Sequence, residues 1–154
     1  MNISLLPNKF KTIGWLILIP ASILGLVVIY TDYSIEWLNI KTFAILNKDF
    51  GKSTEMFTYL ETNLINTILG SLFIIGGLLV SFSKEKTEDE YISSLRLSSL
   101  MWAVLLNYLI LLLSFLFIYG ISFLNIMVYN MFTVLIIFIL RFHYLIYKNS
   151  KNTP

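Results

Sequence analysis

The chain has no cysteine and one histidine, His143. The first absence rules out disulfides, thiolate metal sites, quinone-linked thiol oxidation and a lipoprotein anchor. The second leaves His143 without a neighbour at metal-ligand spacing, and no Ser-His-Asp or Cys-His set can be assembled around it. No glycine-rich phosphate loop is present either, because Gly76-Gly77 lies within apolar sequence. Nothing in the residues calls for a cofactor or a metal, and an enzyme is not expected. Charge is also scarce. Only 13% of the residues are Asp, Glu, Lys or Arg, where a soluble domain carries about 25%. Eleven Lys+Arg against 9 Asp+Glu leave a net charge of +2, too little to suggest direct nucleic-acid binding.

Apolar side chains take the place of charge. They make up 57% of the 154 residues, more than a soluble domain of this length could bury. The chain therefore reads as an all-α, four-transmembrane-helix bundle with the lipid bilayer as its first partner. From Leu97 to Leu140 there is no Asp, Glu, Lys, Arg or His. As one helix that run would be roughly 66 Å long, about twice what a bilayer core needs. Tyr119-Gly120-Ile121-Ser122 sits near its middle. Gly120 can take the left-handed backbone that ends helices, and Ser122 can cap the next one. The run is predicted to be two helices joined by a tight hairpin.

Ile13–Tyr30 and Thr62–Ser83 supply two more uncharged runs. The first follows Lys9 and Lys11 but lacks a small-residue cleavage site, so it reads as an uncleaved anchor, kinked at Pro20. Thr87 and Glu90 fit a capping box that starts the third helix in water. The expected helices are about 12–31, 54–83, 88–119 and 122–148, in one transmembrane domain with an outer loop at 32–53. With the N-terminus inside, eight of the Lys and Arg residues fall inside and three outside (Lys41, Lys48, Lys52). That bias places both termini in the cytoplasm of a cell inner membrane.

Small residues define packing faces. Gly14, Ala21 and Gly25 on the first helix are expected to meet Gly70, Gly77 and Ser81 on the second. Counting outward from Ile121, Ser114 comes level with Asn130 and Trp102 with Arg141. The first pair suggests an interhelical hydrogen bond. The second suggests a cation–π contact, unless Arg141 snorkels into headgroups.

In the outer loop, Leu38, Ile40, Thr42, Ala44 and Leu46 alternate as a strand would. Trp37, Phe43 and Phe50 could instead hold the segment at headgroup depth. Asn47-Lys48-Asp49 and Gly51 signal a turn, and Ser53 or Thr54 would cap a helix with Glu55 in its first turn.

Two sets of residues are candidates for function. Glu61, Asn63, Asn66 and Thr67 make the most polar start of any span. With Asn107 and Asn130 they could form a small polar pocket, or simply hold helices together. Lys84, Lys86, Glu88, Asp89, Glu90 and Arg96 form a charged segment that could face a cytoplasmic partner, or be a solvated helix start. No span carries a central acid or base of the kind that marks proton pathways, so proton-coupled transport is not expected.

The segments SKEKTEDEYISSLRL, LNYLILLLSFLFIYG and VYNMFTVLIIFILRF resemble those of uncharacterised small bacterial four-helix membrane proteins, some encoded beside short helix-turn-helix regulators. The resemblance implies a regulatory, sensory or scaffold role through contact with another membrane protein or a cytoplasmic regulator, with a homo-oligomer also open. The alternative function is a subunit of an oligomeric channel or small-solute carrier using Asn63, Asn66, Asn107 and Asn130.

Overall fold

The computed structural model describes residues 5–31, 38–47 and 55–152. Four helices are present: α1 (Lys9–Thr31), α2 (Ile65–Phe82), α3 (Glu90–Phe117) and α4 (Ile121–Asn152). Each is long and apolar enough to cross a membrane. Large apolar side chains such as Leu16, Leu26, Leu105, Phe117 and Leu140 are more than half exposed along these helices. Such a surface suits lipid and not water. The chain is thus built as a multi-pass helical membrane protein.

Between α1 and α2 runs an antiparallel pair of strands, β1 (Asn39–Asn47) and β2 (Glu55–Asn63). The strand reading of 38–46 holds. The helix expected from residue 54 does not: Glu55 belongs to β2, and α2 begins ten residues later at Ile65. The reason lies in EMFTYLETN, which is rich in β-favouring aromatic and Thr side chains and has a partner strand to pair with. Trp37, Phe50, the turn signals after Asn47 and the caps at Ser53 and Thr54 lie outside the described residues.

Two compact units are distinguished. One contains Pro20–Leu72, that is, the second part of α1, the strands and the start of α2. Within it, Leu64 N donates to Leu38 O (3.2 Å), Ile65 N donates to Asn63 Oδ1 (3.1 Å) and Ile68 N donates to Leu64 O (2.9 Å). The ladder therefore passes into the first turn of α2 through a single residue.

The other unit contains Met1–Ile19 and Phe73–Pro154. Its core is Leu18, Val80, Ala103, Phe138, Ile139 and Phe142, flanked by Trp15, Phe73, Ile92 and Leu95. α1 and α2 approach closely there, as expected from their small residues, but along a shifted line. A Cβ on Gly14 would lie 2.9 Å from Val80 N, and one on Gly76 would lie 2.9 Å from Leu18 N. Gly77, the expected contact, instead faces Leu135 of α4, and Gly25 has nothing within 4 Å.

The α3–α4 hairpin forms where Gly120 predicted it. α3 ends at Phe117, Ile118 N donates to Ser114 O (2.9 Å), and Gly120 adopts φ +71°. Ser122 is already inside the first turn of α4, so it does not cap it.

Candidate functional site

The most polar part of the larger unit is the α2–α3 connection with the chain that packs around it. Residues before α1 clip onto the end of α2. Leu6 N donates to Phe82 O and Lys84 N donates to Leu6 O, each at 2.9 Å, and Asn8 Nδ2 donates to Lys84 O at 2.7 Å. Lys11, one turn into α1, places Nζ 2.6 Å from both carboxylate oxygens of Glu85. This pair is largely shielded from solvent.

A second ion pair closes the connection from the α3 side. Arg96 Nη1 lies 3.0 Å from Glu88 Oε1, and Nη2 donates to Glu88 Oε2 at 3.1 Å. Two parallel contacts of this kind fix orientation as well as charge. The same Nη2 donates to Ser83 O (3.2 Å), and the guanidinium lies 5.1 Å from the Phe142 ring centroid. Glu88 Oε2 also accepts from Glu85 N at 2.8 Å. The Glu88 carboxylate thus joins the loop to α3, and Arg96 joins α3 to the α2 exit.

That network moves the helix start. The expected cap was Thr87 with Glu90 in reply. Glu88 is committed to Arg96, and the cap is Asp89, whose Oδ1 accepts from Ile92 N at 2.8 Å. Arg96 and Glu88 must also be removed from the expected partner surface: Arg96 is 8% exposed, and both side chains are spent internally. Lys84, Lys86, Asp89 and Glu90 are exposed. An open cleft of about 380 Å³ adjoins them, with Asn8, Lys11, Glu85 and Lys86 at polar positions and Trp15 and Ile146 at apolar ones. Behind it, Trp15 meets His143 edge to face at 5.3 Å, and His143 Nδ1 donates to Ile139 O at 2.9 Å.

The residues of the expected polar pocket make other contacts. Asn107 Nδ2 donates to Asn130 Oδ1 at 2.9 Å, and Asn130 Nδ2 returns to Asn107 O at 3.4 Å, with both residues buried. Asn130 was expected to meet Ser114, but Ser114 Oγ donates within its own helix to Ile110 O. Arg141 does lie over Trp102, 4.8 Å from the ring centroid. In the strand unit, Glu61 faces Lys41 across the ladder with 3.7 Å between charges, both well exposed. Asn63 Nδ2 donates to Asn39 Oδ1 at 2.9 Å. Asn66 and Thr67 are exposed in the first turn of α2.

Sequence reasoning missed the Leu6 clip and the Lys11–Glu85 pair. Their partners are more than 70 residues apart, and the one available signal was a lysine just before one span and a glutamate just after another. Among the described residues, no three His, Asp or Glu side chains gather as a metal site would require. No protein-family model, no curated protein and no solved structure matches the chain.

Proposed function

We propose that this chain is a non-enzymatic partner protein of a cell inner membrane, with N- and C-termini cytoplasmic, acting through the α2–α3 connection. The observation that carries this reading is the combination of a tightly held loop and unspent charge on its outside. Three constraints fix the backbone of 82–89: the Leu6 clip, Lys11–Glu85 and Arg96–Glu88. Lys84, Lys86 and Glu90 make no part of them through their side chains and are exposed. A prearranged charged surface avoids ordering costs on binding and selects partners by charge. The Lys and Arg bias puts this surface in the cytoplasm, where a regulator or the cytoplasmic side of another membrane protein could meet it.

The channel reading draws less support, because Asn107 and Asn130 direct their amides at each other.

The test is charge reversal that spares the scaffold. Lys84→Glu, Lys86→Glu and Glu90→Lys are combined, with Glu88, Asp89 and Arg96 left intact. The triple variant is expected to melt in detergent like the parent and to lose the protein that crosslinks to the parent in native membranes. Equal crosslinking by parent and variant would refute this surface.

A further inference from the structure

The strand pair presents an aromatic face that the functional reading above does not use. Period-two alternation puts Phe43 and Ile45 of β1 on the same side as Tyr59 and Phe57 of β2, and Phe43 is paired directly with Tyr59. The Phe43 ring lies 5.5 Å from that of Tyr59 and 6.3 Å from that of Phe57, centroid to centroid. These rings gather, yet they are not covered. Phe43 is 51% exposed, Ile45 66%, Phe57 68% and Tyr59 73%. By contrast Thr42, Ala44, Thr58 and Leu60, on the other side, are half-buried.

Phe57 adds an independent observation. Its φ is +55°, and it is the one non-glycine with positive φ among the described residues. An aromatic residue avoids this region unless its surroundings hold it there. It falls where the regular pairing is interrupted, between Ala44↔Thr58 and Leu46↔Met56. The register is the same on both sides of this gap, and the Phe57 ring lies beside Phe43.

The bilayer lies within reach of this face. α2 has 18 residues and so spans about 27 Å, barely the thickness of a bilayer core. Its first residue, Ile65, must then sit at the membrane boundary. Only Leu64 separates it from β2, and the Leu64–Leu38 and Ile65–Asn63 hydrogen bonds tie the ladder to the first turn. The paired Asn39 and Asn63 at the base of the ladder are therefore at headgroup depth. Phe43 is four residues further on, roughly 13 Å along the strand. Lys41 and Glu61, between the base and the rings, are on the same side and fit the headgroup layer.

We infer that the Phe43–Ile45–Phe57–Tyr59 face of the β1–β2 hairpin lies against the lipid surface, so that the hairpin is an interfacial anchor and not a freely projecting loop. The chemistry of this face fits that place: aromatic and aliphatic side chains suit the headgroup–acyl boundary, with Lys41 and Glu61 beside them on the same side.

The cysteine-free chain allows a direct test in liposomes. Single cysteines at Ile45→Cys, Tyr59→Cys, Ala44→Cys and Thr58→Cys carry a nitroxide label in the full-length protein. Collision with oxygen, which partitions into lipid, is compared with collision with a water-soluble nickel chelate. The expected result is an alternating pattern, with an oxygen-to-nickel ratio severalfold higher at 45 and 59 than at 44 and 58. Nickel access equal at all four positions would place the hairpin in water and overturn the inference. Exclusion of both reagents at 45 and 59 would mean that protein covers the face, a second copy or another partner, and would overturn it too. Sharp, mobile spectra at all four positions would mean that the hairpin does not persist, and the inference would fall with it.

Discussion

Adding one methyl group to each of four glycines tests how α1, α2 and α4 pack. At Gly76 the new Cβ would stand 2.9 Å from Leu18 N and 3.1 Å from Leu18 Cα. Carbon contacts are comfortable at about 3.5–4.0 Å, so the two helices must part by roughly 0.6 Å. The obstacle is backbone and cannot rotate away. Overpacking of this kind costs about 1–3 kcal/mol. At Gly14 three atoms stand at 2.9 Å, among them Val80 N, and the same cost applies. At Gly77 the nearest atom is Leu135 Cδ1 at 3.1 Å, the end of a rotatable side chain, so the net change is near zero. Gly25 has nothing within 4 Å, and alanine there gains up to about 1 kcal/mol of helix propensity. Part of that gain is lost when the denatured state in detergent keeps its helices. The expected order of stability is Gly25→Ala at or above the parent, Gly77→Ala close to it, and Gly14→Ala and Gly76→Ala lowest. The spread is about 1–3 kcal/mol. Titration of detergent-solubilised protein with a denaturing surfactant, followed by circular dichroism, reads these differences. Gly76→Ala as stable as Gly25→Ala would refute the close approach of α1 and α2.

Three further outcomes follow from the polar contacts. Arg96→Met strands the shielded Glu88 carboxylate and is expected to cost about 3 kcal/mol. Adding Glu88→Gln should recover part of that loss, and no coupling in the double-mutant cycle would contradict the ion pair. Asn107→Leu or Asn130→Leu should each lose about 0.6–1.7 kcal/mol in the same titration, and the double variant less than the sum. Lys41→Ala should change stability by less than about 1 kcal/mol, because Lys41–Glu61 is an exposed pair; a large loss would mean that the pair is covered.

The number of helices long and apolar enough to cross a membrane was legible because it depends only on the length of uncharged runs. Gly120 was legible because a 44-residue run without charge has to turn. The face of α3 that meets Asn130 was also readable, but its depth was not. Asn107 and the expected Ser114 are two helical turns apart on one face, and a count from the turn assumes helices in simple register. Arg141 still found Trp102 because a long helical side chain leans toward its own N-terminus, here toward the hairpin. β2 was not expected because Glu61, Thr62 and Asn63 look like the polar start of a span, and strand pairing depends on partners up to 24 residues away in the chain. The clips at Leu6 and Lys11 were invisible for the same reason: backbone groups give no sequence signal of a distant partner, and a lone charge at each end of a run does not name its own. Arg96 and Glu88 looked like solvated helix residues, since burial of a charge is decided by the fold around it.

The central claim is a four-pass topology in which the α2–α3 connection and the C-terminal end share one side. Single cysteines at Lys86, Lys151, Lys41 and Tyr119, probed with a membrane-impermeant maleimide in sealed vesicles of both orientations, test it most directly. Lys86→Cys and Lys151→Cys are expected to react from one side and Lys41→Cys and Tyr119→Cys from the other. Labelling of Lys86→Cys and Lys151→Cys from opposite sides would contradict it.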